Sequence, residues 1–156
     1  MKVSKKKEPL IAGIAGAFII AVLSYLSLET STGLWLTFSF GSTTLIVLVF
    51  YKSEVAQPYN VFFGHLLAAV VGVIIKELFG ISFLTLSISV GISITLMMYL
   101  KVVHPPAAAN PIVVIINDAS YDFILFPIII GLILLLLLSI IINKIILKRN
   151  YSFKIN

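Results

Sequence analysis

The residues best suited to chemistry are two histidines and a set of hydroxyl and amide side chains placed at breaks between apolar runs. One group follows Gly41, a second lies in the loop "KSEVAQPYN", and a third begins with a His-Pro-Pro sequence. Such side chains form hydrogen bonds without a fixed charge, which is typical of a site that binds a small solute weakly. The candidate binding residues are Ser42, Thr43, Thr44, Gln57, Asn60, His65, His104, Pro105, Pro106 and Ala107.

The sequence "HPPAAANP" predicts the start of a short helix, because proline fits the first helical turn and disrupts later ones. His104 then precedes the helix, and the backbone N–H groups of Ala107, Ala108 and Ala109 are expected to face the break. A helix N-terminus attracts anions through these donors and its dipole. Two roles stay open for His104 and for His65. The ring either binds a neighbouring carbonyl and fixes the break, or donates to a substrate and carries a proton.

Acidic residues stand only near the ends of the apolar runs, at Glu8, Glu29, Glu54, Glu77, Asp118 and Asp122. This placement argues against a carboxylate proton relay or a carboxylate-rich cation site inside a membrane. The sequence has no cysteine, and two histidines are too few for a convincing metal site. Motifs of the HExxH, GxSxG and paired-aspartate kinds are missing from the sequence. We therefore expect no metal, no cofactor and no enzymatic activity.

The elements that position these residues are membrane helices, because 60% of the residues are hydrophobic and only 11% are charged. The formal net charge is +5, but the lysines adjoin apolar runs, where basic residues set topology. Nucleic acid is therefore not an expected partner. The start "MKVSKKKEPLIAGIAGAF" has the basic beginning of a signal peptide, but its apolar run is long enough to remain as a first span.

Six apolar segments are candidates for membrane crossing, at 10–28, 34–51, 61–79, 82–100, 105–117 and 123–147. All except the short segment 105–117 approach the ~20 residues that a spanning helix needs. If 105–117 crosses, both termini are cytoplasmic and every Lys and Arg except Lys76 lies inside. If it does not cross, the basic residues after it join Lys76 outside. The positive-inside rule favours six crossings, and we expect one multi-pass domain, residues 1–156, in the plasma membrane.

Six crossings divide into a 3+3 arrangement whose halves would be inverted repeats, as in many transporters. At one constant offset, "GSTT" at 41–44 aligns with "VHPP" at 103–106, and Tyr59-Asn60 aligns with Tyr121-Asp122. Chance similarity between compositionally biased segments is the alternative. If the repeat is real, the second and fifth segments are two short or broken helices near the substrate path.

Small residues predict which helix faces pack closely. Gly64, Ala68 and Gly72 recur at spacing four in the third segment, which permits close backbone approach. The fourth segment has small or hydroxyl residues on two opposite faces, so we expect a central helix packed on both sides. Its hydroxyls either bond to carbonyls of their own helix or line a polar path. The last segment is almost entirely Leu and Ile, and we expect it to be the most lipid-exposed helix or an oligomer contact.

Three stretches, "SFGSTTLIVLVF", "SEVAQPYNVFFGHLLAAVVGV" and "LKVVHPPAAANPI", resemble the HPP family of integral membrane proteins. The family is named for its His-Pro-Pro motif, matched by His104, Pro105 and Pro106, and the resemblance covers roughly residues 10–145. Family descriptions generally count four transmembrane helices. Plant and cyanobacterial members are regarded as nitrite transporters, so the resemblance implies transport of a small monovalent anion.

Two positions depart from the pattern of the HPP family. Tyr59 stands where the family usually has a basic residue, and Ala108 stands where it usually has glycine. The first change removes an obvious contact for an anion. Nitrite is therefore the best guess for the substrate and is not a direct transfer from the family.

Taken together, these patterns predict an all-α, multi-pass membrane protein that passes a small anion between the Gly41–Thr44 break and the His104–Ala107 break. We expect a homo-oligomer in the lipid bilayer. A pore for a small neutral solute is one alternative function, since polar breaks without charge also suit water or small amides. A membrane scaffold or regulatory subunit that transports nothing is the other.

Overall fold

The computed structural model describes residues 6–31 and 33–151. Within these ranges the chain forms helices and no β-strand, as predicted. The α-helices are α1 (Glu8–Leu28), α2 (Ser39–Val49), α3 (Pro58–Phe79), α4 (Phe83–Tyr99), α5 (Asn110–Ile116) and α6 (Ile130–Ile141). Short 3-10 turns occur at Glu54–Ala56 and Pro105–Ala109, and a π-helical turn at Ile142–Ile146 extends α6 at its C-terminal end. Before α6, the segment Ile124–Ile129 is kinked at Phe126, whose backbone is extended. Lys2, Lys5 and Lys154, which contribute to the predicted topology, lie outside the described ranges.

Three helical stretches are long and apolar enough to cross a membrane: Glu8–Leu28, Pro58–Phe79 and Ile124–Ile146. The helices Ser39–Val49, Phe83–Tyr99 and Pro105–Ile116 are also apolar but shorter. The predicted second segment, 34–51, is α-helical only from Ser39 to Val49. Its first residues are not helical, and the Trp35 backbone lies so close to Gly131 of α6 that any Cβ there would collide with the Trp35 carbonyl.

The small residues of α3 form the surface against which residues 102–114 pack, which confirms the predicted close approach. A Cβ at Gly64 would lie 2.8 Å from the Val102 carbonyl oxygen, and a Cβ at Gly72 would lie 2.8 Å from Pro111 Cα. Ala68, between them, is fully buried. Glycine at positions 64 and 72, with the small Ala68 between them, lets the two backbones come this close.

Polar side chains at the two ends of α3 fix the direction of this packed segment. Near the start of α3, Asn60 Nδ2 donates to the Lys101 and Val103 carbonyl oxygens at 3.4 and 3.3 Å. Near the end of α3, Lys76 Nζ donates to Asp118 Oδ1, at 2.9 Å. Residues 101–118 therefore run beside α3 in the same direction, from one end of that helix to the other.

The expectation that α4 is central and packed on both sides is wrong for the described chain. Thr85, Ser89 and Ser93 are buried against the rest of the protein, whereas the opposite face is exposed. On the exposed face, Thr95 Oγ1 donates to the carbonyl oxygen of Gly91 in its own helix, at 2.9 Å. The hydroxyls of α4 thus follow the alternative in which they bond within the helix, and α4 lies at the edge of the bundle.

The last helix is not the most exposed one. Leu132 and Leu135 of α6 are fully buried, and they belong to the main apolar core together with residues of α1, α2 and α3. By contrast, α1 buries only Ala15, Ile19 and Leu23. The Leu/Ile composition of α6 gave the wrong expectation because an apolar side chain is equally at home in lipid and in a protein core.

The two ends of the described chain meet. Arg149, which follows the last helix, forms an ion pair with Glu8 in the first turn of α1. Tyr151 is fully buried, and its hydroxyl donates to the Ala56 carbonyl oxygen at 2.7 Å, in the loop between α2 and α3. The start of α1, the loop after α2 and the C-terminal segment therefore lie at the same end of the bundle.

Candidate functional site

Thr43 of α2 links the two histidines in the interior of the helix bundle. Its Oγ1 lies 2.8 Å from His65 Nε2 and 3.0 Å from His104 Nε2. The imidazole rings are tilted at 54° to each other, with their centroids 5.0 Å apart. None of the three side chains is exposed to solvent. The structure therefore unites three of the predicted site residues from three separate parts of the chain.

The outer ring nitrogens of the two histidines also have partners. His104 Nδ1 lies 2.6 Å from the Val55 carbonyl oxygen. His65 Nδ1 lies 3.0 Å from Asn110 Nδ2, which also donates to the backbone carbonyl of His65 at 3.0 Å. Asn110 Oδ1 in turn accepts a hydrogen bond of 3.0 Å from the Ser39 hydroxyl. We call Ser39, Thr43, His65, His104 and Asn110 the buried network.

The partners of the outer ring nitrogens assign a tautomer to each histidine of the buried network. A carbonyl oxygen only accepts, so His104 carries its proton on Nδ1 and accepts at Nε2. Asn110 Nδ2 only donates, so His65 accepts at Nδ1 and carries its proton on Nε2. Thr43 then accepts from His65 Nε2–H, and its one proton has two acceptors at 3.0 Å, His104 Nε2 and the Ser39 carbonyl oxygen. Both imidazoles are then neutral, in opposite tautomers, and each of the four ring nitrogens has a partner within 3.0 Å.

The buried network joins the beginnings of two short helices. Ser39 is the first residue of α2 and Asn110 is the first residue of α5, and their side chains are bonded directly. Two helices that begin inside a bundle expose backbone groups that need partners there. The network holds these two beginnings together and ties both of them to α3 through His65.

The His-Pro-Pro sequence produces the predicted break, but not the predicted set of free donors. Pro105 and Pro106 occupy the first turn of the 3-10 segment and have no N–H. The N–H of Ala107 donates to the His104 carbonyl oxygen at 3.0 Å. The expectation that Ala107 presents a free backbone donor is therefore wrong, because the tight turn uses that donor itself.

The other predicted site residues lie around the buried network without joining it. Ser42 is exposed, and its hydroxyl donates to the Ser39 carbonyl oxygen at 2.9 Å. Gln57 Nε2 donates to the carbonyl oxygens of Tyr51 and Ser53, which shapes the loop before α3. Asn60 anchors the segment before His104, as described above. Pro106 and Ala107 are buried and Pro105 is exposed.

Sequence reasoning missed the part played by Asn110. The Asn-Pro pair at 110–111 indicated only a disturbed helix, whereas the side chain is fully buried and forms three of the contacts in the network. One signal was available. An amide this far inside an apolar run must find partners, and the hydroxyls and histidines were the candidates.

Thr44, the neighbour of Thr43, faces the other side of α2 and lines a cavity of about 750 Å³ between α1 and α2. Glu8 and Arg149 stand in its wall near the ends of the chain, and we call it the Arg149 cavity. Within the described residues, Thr44 Oγ1 is buried and has no hydrogen-bond partner. This wall also includes Gly41, beside which a Cβ would meet no described atom within 4 Å.

A second cavity, of about 680 Å³, lies along the other end of α1 and is lined by Ser27, Thr37 and Asn117. We call it the Asn117 cavity. Thr37 Oγ1 is also buried without a hydrogen-bond partner in the part of the chain that the structure describes. Ile20 of α1 and Gly41 of α2 belong to the walls of both cavities. The two cavities thus follow one another along the whole length of α1.

The two sides of α2 differ in what they can do chemically. The core side holds the buried network, in which no described charged side chain takes part. The cavity side has mainly apolar walls, one ion pair at the rim, and two threonines whose buried hydroxyls have no described partner. No group of three or more His, Cys, Asp or Glu residues that could hold a metal ion occurs among the described residues.

Comparison with known proteins agrees with this membrane architecture. The chain is similar to two transmembrane proteins of Dictyostelium discoideum, at 29% and 26% identity over 149 residues. Each alignment covers 90% of this chain, but only 52% and 48% of the relative. The chain therefore spans about half the length of these curated relatives. No solved structure matches the chain significantly.

A family model described as the HPP transmembrane region matches residues 1–152. The match includes the His-Pro-Pro motif, whose histidine is bonded through Thr43 to the histidine of α3. With nearly the whole chain matched, this protein belongs to the HPP family of transmembrane proteins.

Proposed function

We propose that this protein passes a small monovalent anion, with nitrite as the best candidate, through the two cavities along α1. The observation that carries the proposal is their succession. The Arg149 cavity is lined by α1 residues from Glu8 to Ile20, the Asn117 cavity by α1 residues from Ile20 to Leu28, and both share Ile20 and Gly41. α1 is long enough to cross a bilayer. A solute that moves from one cavity to the other past Gly41 therefore travels from one side of the bilayer to the other.

The lining of this path suits weak binding and release. Thr37 in one cavity and Thr44 in the other have buried hydroxyls without a described partner, and a rotation of either side chain toward its cavity would let a passing anion supply the missing contact. Weak, successive sites favour passage over retention. At one mouth, the guanidinium of Arg149 favours an anion over a cation when its ion pair with Glu8 opens. The specific choice of nitrite rests on the family resemblance.

We assign the histidines to the frame of the path and not to contact with the substrate. All four of their ring nitrogens are used within the protein, and neither ring is exposed. A substrate that bound His65 or His104 directly would have to replace one of these bonds. Their role is to hold α2, which forms one wall of both cavities, against α3 and α5.

A topology of six crossings is part of the proposal. It is supported by residues 101–118 running beside α3 from end to end, and by the contact between Glu8 and Arg149, which requires an even number of crossings between them. The positive-inside rule then puts both termini in the cytoplasm. The absence of α-helix directly before α2 and directly before α5, within the described residues, supports two related halves, each with a short middle helix.

Single cysteines test this topology, because the chain contains none of its own. Ser53 and Ser120 are exposed in the loops before α3 and after α5. We expect an impermeant maleimide added to whole cells to label Ser120→Cys and to label Ser53→Cys only after the membrane is opened. Labelling of both from the same side would reject the crossing of 105–117.

We also propose a homo-oligomer, because the α1–α2 path is open at its side. Gly13 and Leu45 line the Arg149 cavity, Leu45 is 55% exposed, and a Cβ at Gly13 would meet no described atom within 4 Å. An anion cannot travel along a surface that faces lipid. A second copy packed on the small residues of α1 would separate the path from lipid.

Proteoliposomes give the direct test of transport. We expect nitrite flux above that of empty vesicles of the same lipid, with nitrate, formate and chloride as comparison anions. The passage of an anion alone carries charge, so a potassium diffusion potential set with valinomycin should change the rate. No flux above empty vesicles for any of these anions would reject the proposed function.

A neutral-solute pore is the second candidate, favoured by the Asn117 cavity, whose described wall is mainly apolar with Ser27, Thr37 and Asn117 as its polar residues. Stopped-flow shrinkage of the same proteoliposomes with urea or glycerol distinguishes the two. A flux of neutral solute whose rate does not depend on the membrane potential supports the pore. Failure of both assays leaves the scaffold, which the internally satisfied network also suits.

A further inference from the structure

Arg149 is an unusual arginine for the edge of a membrane bundle, because its side chain is only 8% exposed although it follows the last helix. It lies in the wall of the Arg149 cavity, opposite the small residues of α1. A guanidinium is costly to bury unless its donors are paired. Several contacts are therefore needed to hold this charge beside the cavity.

Most of these contacts do not involve Glu8. Arg149 Nη1 donates to the Leu48 carbonyl oxygen at 2.6 Å and to Asn143 Oδ1 at 3.1 Å. The guanidinium lies over the Tyr51 ring, 4.3 Å from its centroid. Leu48 is at the end of α2, so the carbonyl that it offers belongs to the negative end of a helix. One edge of the guanidinium is fixed in place by these groups.

The opposite edge, formed by Nε and Nη2, points both of its donors at a single oxygen of Glu8. Nε lies 3.1 Å from Oε1, and Nη2 forms an ion pair with the same atom. A guanidinium edge is matched best by an anion that presents two oxygens in one plane, one to each N–H. The Glu8 side chain is 36% exposed and lines the same cavity, so water can take up its carboxylate when it leaves.

From this geometry we propose that the Nε–Nη2 edge of Arg149 is a binding site for a small planar oxyanion such as nitrite, nitrate or formate. Glu8 is its internal occupant, which the anion displaces. The exchange replaces one negative charge beside the guanidinium with another, so the buried charge stays paired. The site rests on the proposed function in that it gives the permeant its first contact at the cytoplasmic mouth.

If Glu8 is displaced by the anion, removal of the Glu8 charge should strengthen the binding of the anion. The apparent dissociation constant of the anion rises as the fraction of molecules with a free site falls, and the site is free only where Glu8 has left it. Glu8→Gln removes the competing charge, and the apparent dissociation constant for nitrite should fall by about tenfold. Arg149→Lys keeps the charge but loses the two-donor edge, so nitrite binding should weaken by at least about tenfold. Lys148→Gln, at the exposed neighbouring position, should bind as the original protein does.

The test is thermal unfolding of the purified full chain in detergent, titrated with sodium nitrite at constant ionic strength made up with sodium chloride. A ligand that binds the folded state raises Tm with concentration, which gives an apparent dissociation constant. We expect saturable stabilisation in the original chain, a lower half-saturating nitrite concentration in Glu8→Gln, and no stabilisation in Arg149→Lys.

Three results would overturn the site. The first is an equal rise of Tm with nitrite in the original chain and in Arg149→Lys, and the second is no rise in the original chain or in Glu8→Gln. The third is a lower Tm in Glu8→Gln whose rise with nitrite is the same as that of the original chain. The last result is what a purely structural ion pair gives. Glu8 is partly exposed, so this variant keeps the test decisive even if the arginine variant does not fold. Binding without flux rejects only the proposed function, and flux without Arg149-dependent binding rejects only this site.

Discussion

Thr43 and Thr44 are adjacent in the sequence and have opposite surroundings. Thr43 faces the core, where its hydroxyl bridges His65 and His104, and Thr44 faces the Arg149 cavity with no described partner for its hydroxyl. Both are buried. The two sides of α2 thus separate a region in which the polar side chains are bonded to one another from a region in which a buried hydroxyl has no described partner.

The difference teaches what each side of α2 is for. A satisfied polar network in a low-dielectric interior fixes one arrangement of the elements that it joins. A buried hydroxyl without a partner costs free energy, and a site that binds a passing solute is a reason to retain it. His104, whose His-Pro-Pro motif names the family, belongs to the first kind of region, and the path that we propose belongs to the second.

The largest effect should come from removing the hydroxyl that bridges the histidines. Thr43→Val keeps the shape of the side chain but leaves one nitrogen of His65 and one of His104 without partners. At about 1–3 kcal/mol for each buried unsatisfied group, the free energy of unfolding should fall by about 2–6 kcal/mol. Denaturant titration in detergent measures it. Thr95→Val, on the exposed face of α4, is the matched control, and equal losses would break the contrast.

Close packing behind the network should give the next largest effect. A Cβ at Gly64 would lie 2.8 Å from the Val102 carbonyl oxygen and 3.0 Å from His104 Cβ. Gly64→Ala should therefore destabilise the fold by about 1–3 kcal/mol, as overpacked cores do. Gly91→Ala meets nothing described within 4 Å and should be neutral or stabilising through helix propensity. A neutral Gly64→Ala would mean that residues 102–104 do not press on α3.

Tyr151 extends the satisfied region to the C-terminal segment and should give a smaller effect. Tyr151→Phe removes one hydrogen bond to the Ala56 carbonyl, at a cost of about 1 kcal/mol. Burial raises the pKa of the Tyr151 phenol, so the folded chain resists ionisation at pH values where an unfolded tyrosine ionises. The free energy of unfolding of the original chain should therefore exceed that of Tyr151→Phe by its full amount below about pH 10, and by less above it. Unfolding curves at pH 8 and pH 11 check this, and a constant difference would contradict it.

The smallest effect on stability is expected at Thr44. Thr44→Val removes a hydroxyl that has no described partner, so the free energy of unfolding should stay the same or rise by up to about 1 kcal/mol. Nitrite flux should fall, because the path loses one of its contacts. Unfolding and flux measured on the same preparation separate the two effects. A loss of stability as large as that of Thr43→Val would erase the difference between the two sides of α2.

The sequence predicted those parts of the fold that depend on composition and local spacing. The all-helical membrane class, the break at His104 and the small-residue surface of α3 follow from residue types at fixed intervals. The position of α4 could not be read in this way. Its hydroxyls satisfy themselves within the helix, as Thr95 does, so a polar face did not require a neighbour.

Long-range partners were the part of the site that the sequence could not supply. Ser39 and Asn110 are bonded across 71 positions, and no local pattern specifies that pairing. Arg149 contributed only to the expected topology, because its burial depends on Leu48, Asn143 and Tyr51 meeting at one point. Three members of the buried network, Thr43, His65 and His104, were predicted within the site, but their mutual bonding gives the histidines a framework role.

The central claim, that a solute passes Gly41 between the two cavities, is tested most directly by nitrite flux through Gly41→Leu proteoliposomes. Neither Gly41 nor Gly91 has a described atom near a Cβ, so Gly91→Leu on α4 is the matched control, and both variants should fold. We expect Gly41→Leu to reduce flux to the level of empty vesicles and Gly91→Leu to retain the original rate. Flux through Gly41→Leu equal to that of the original chain would contradict the path.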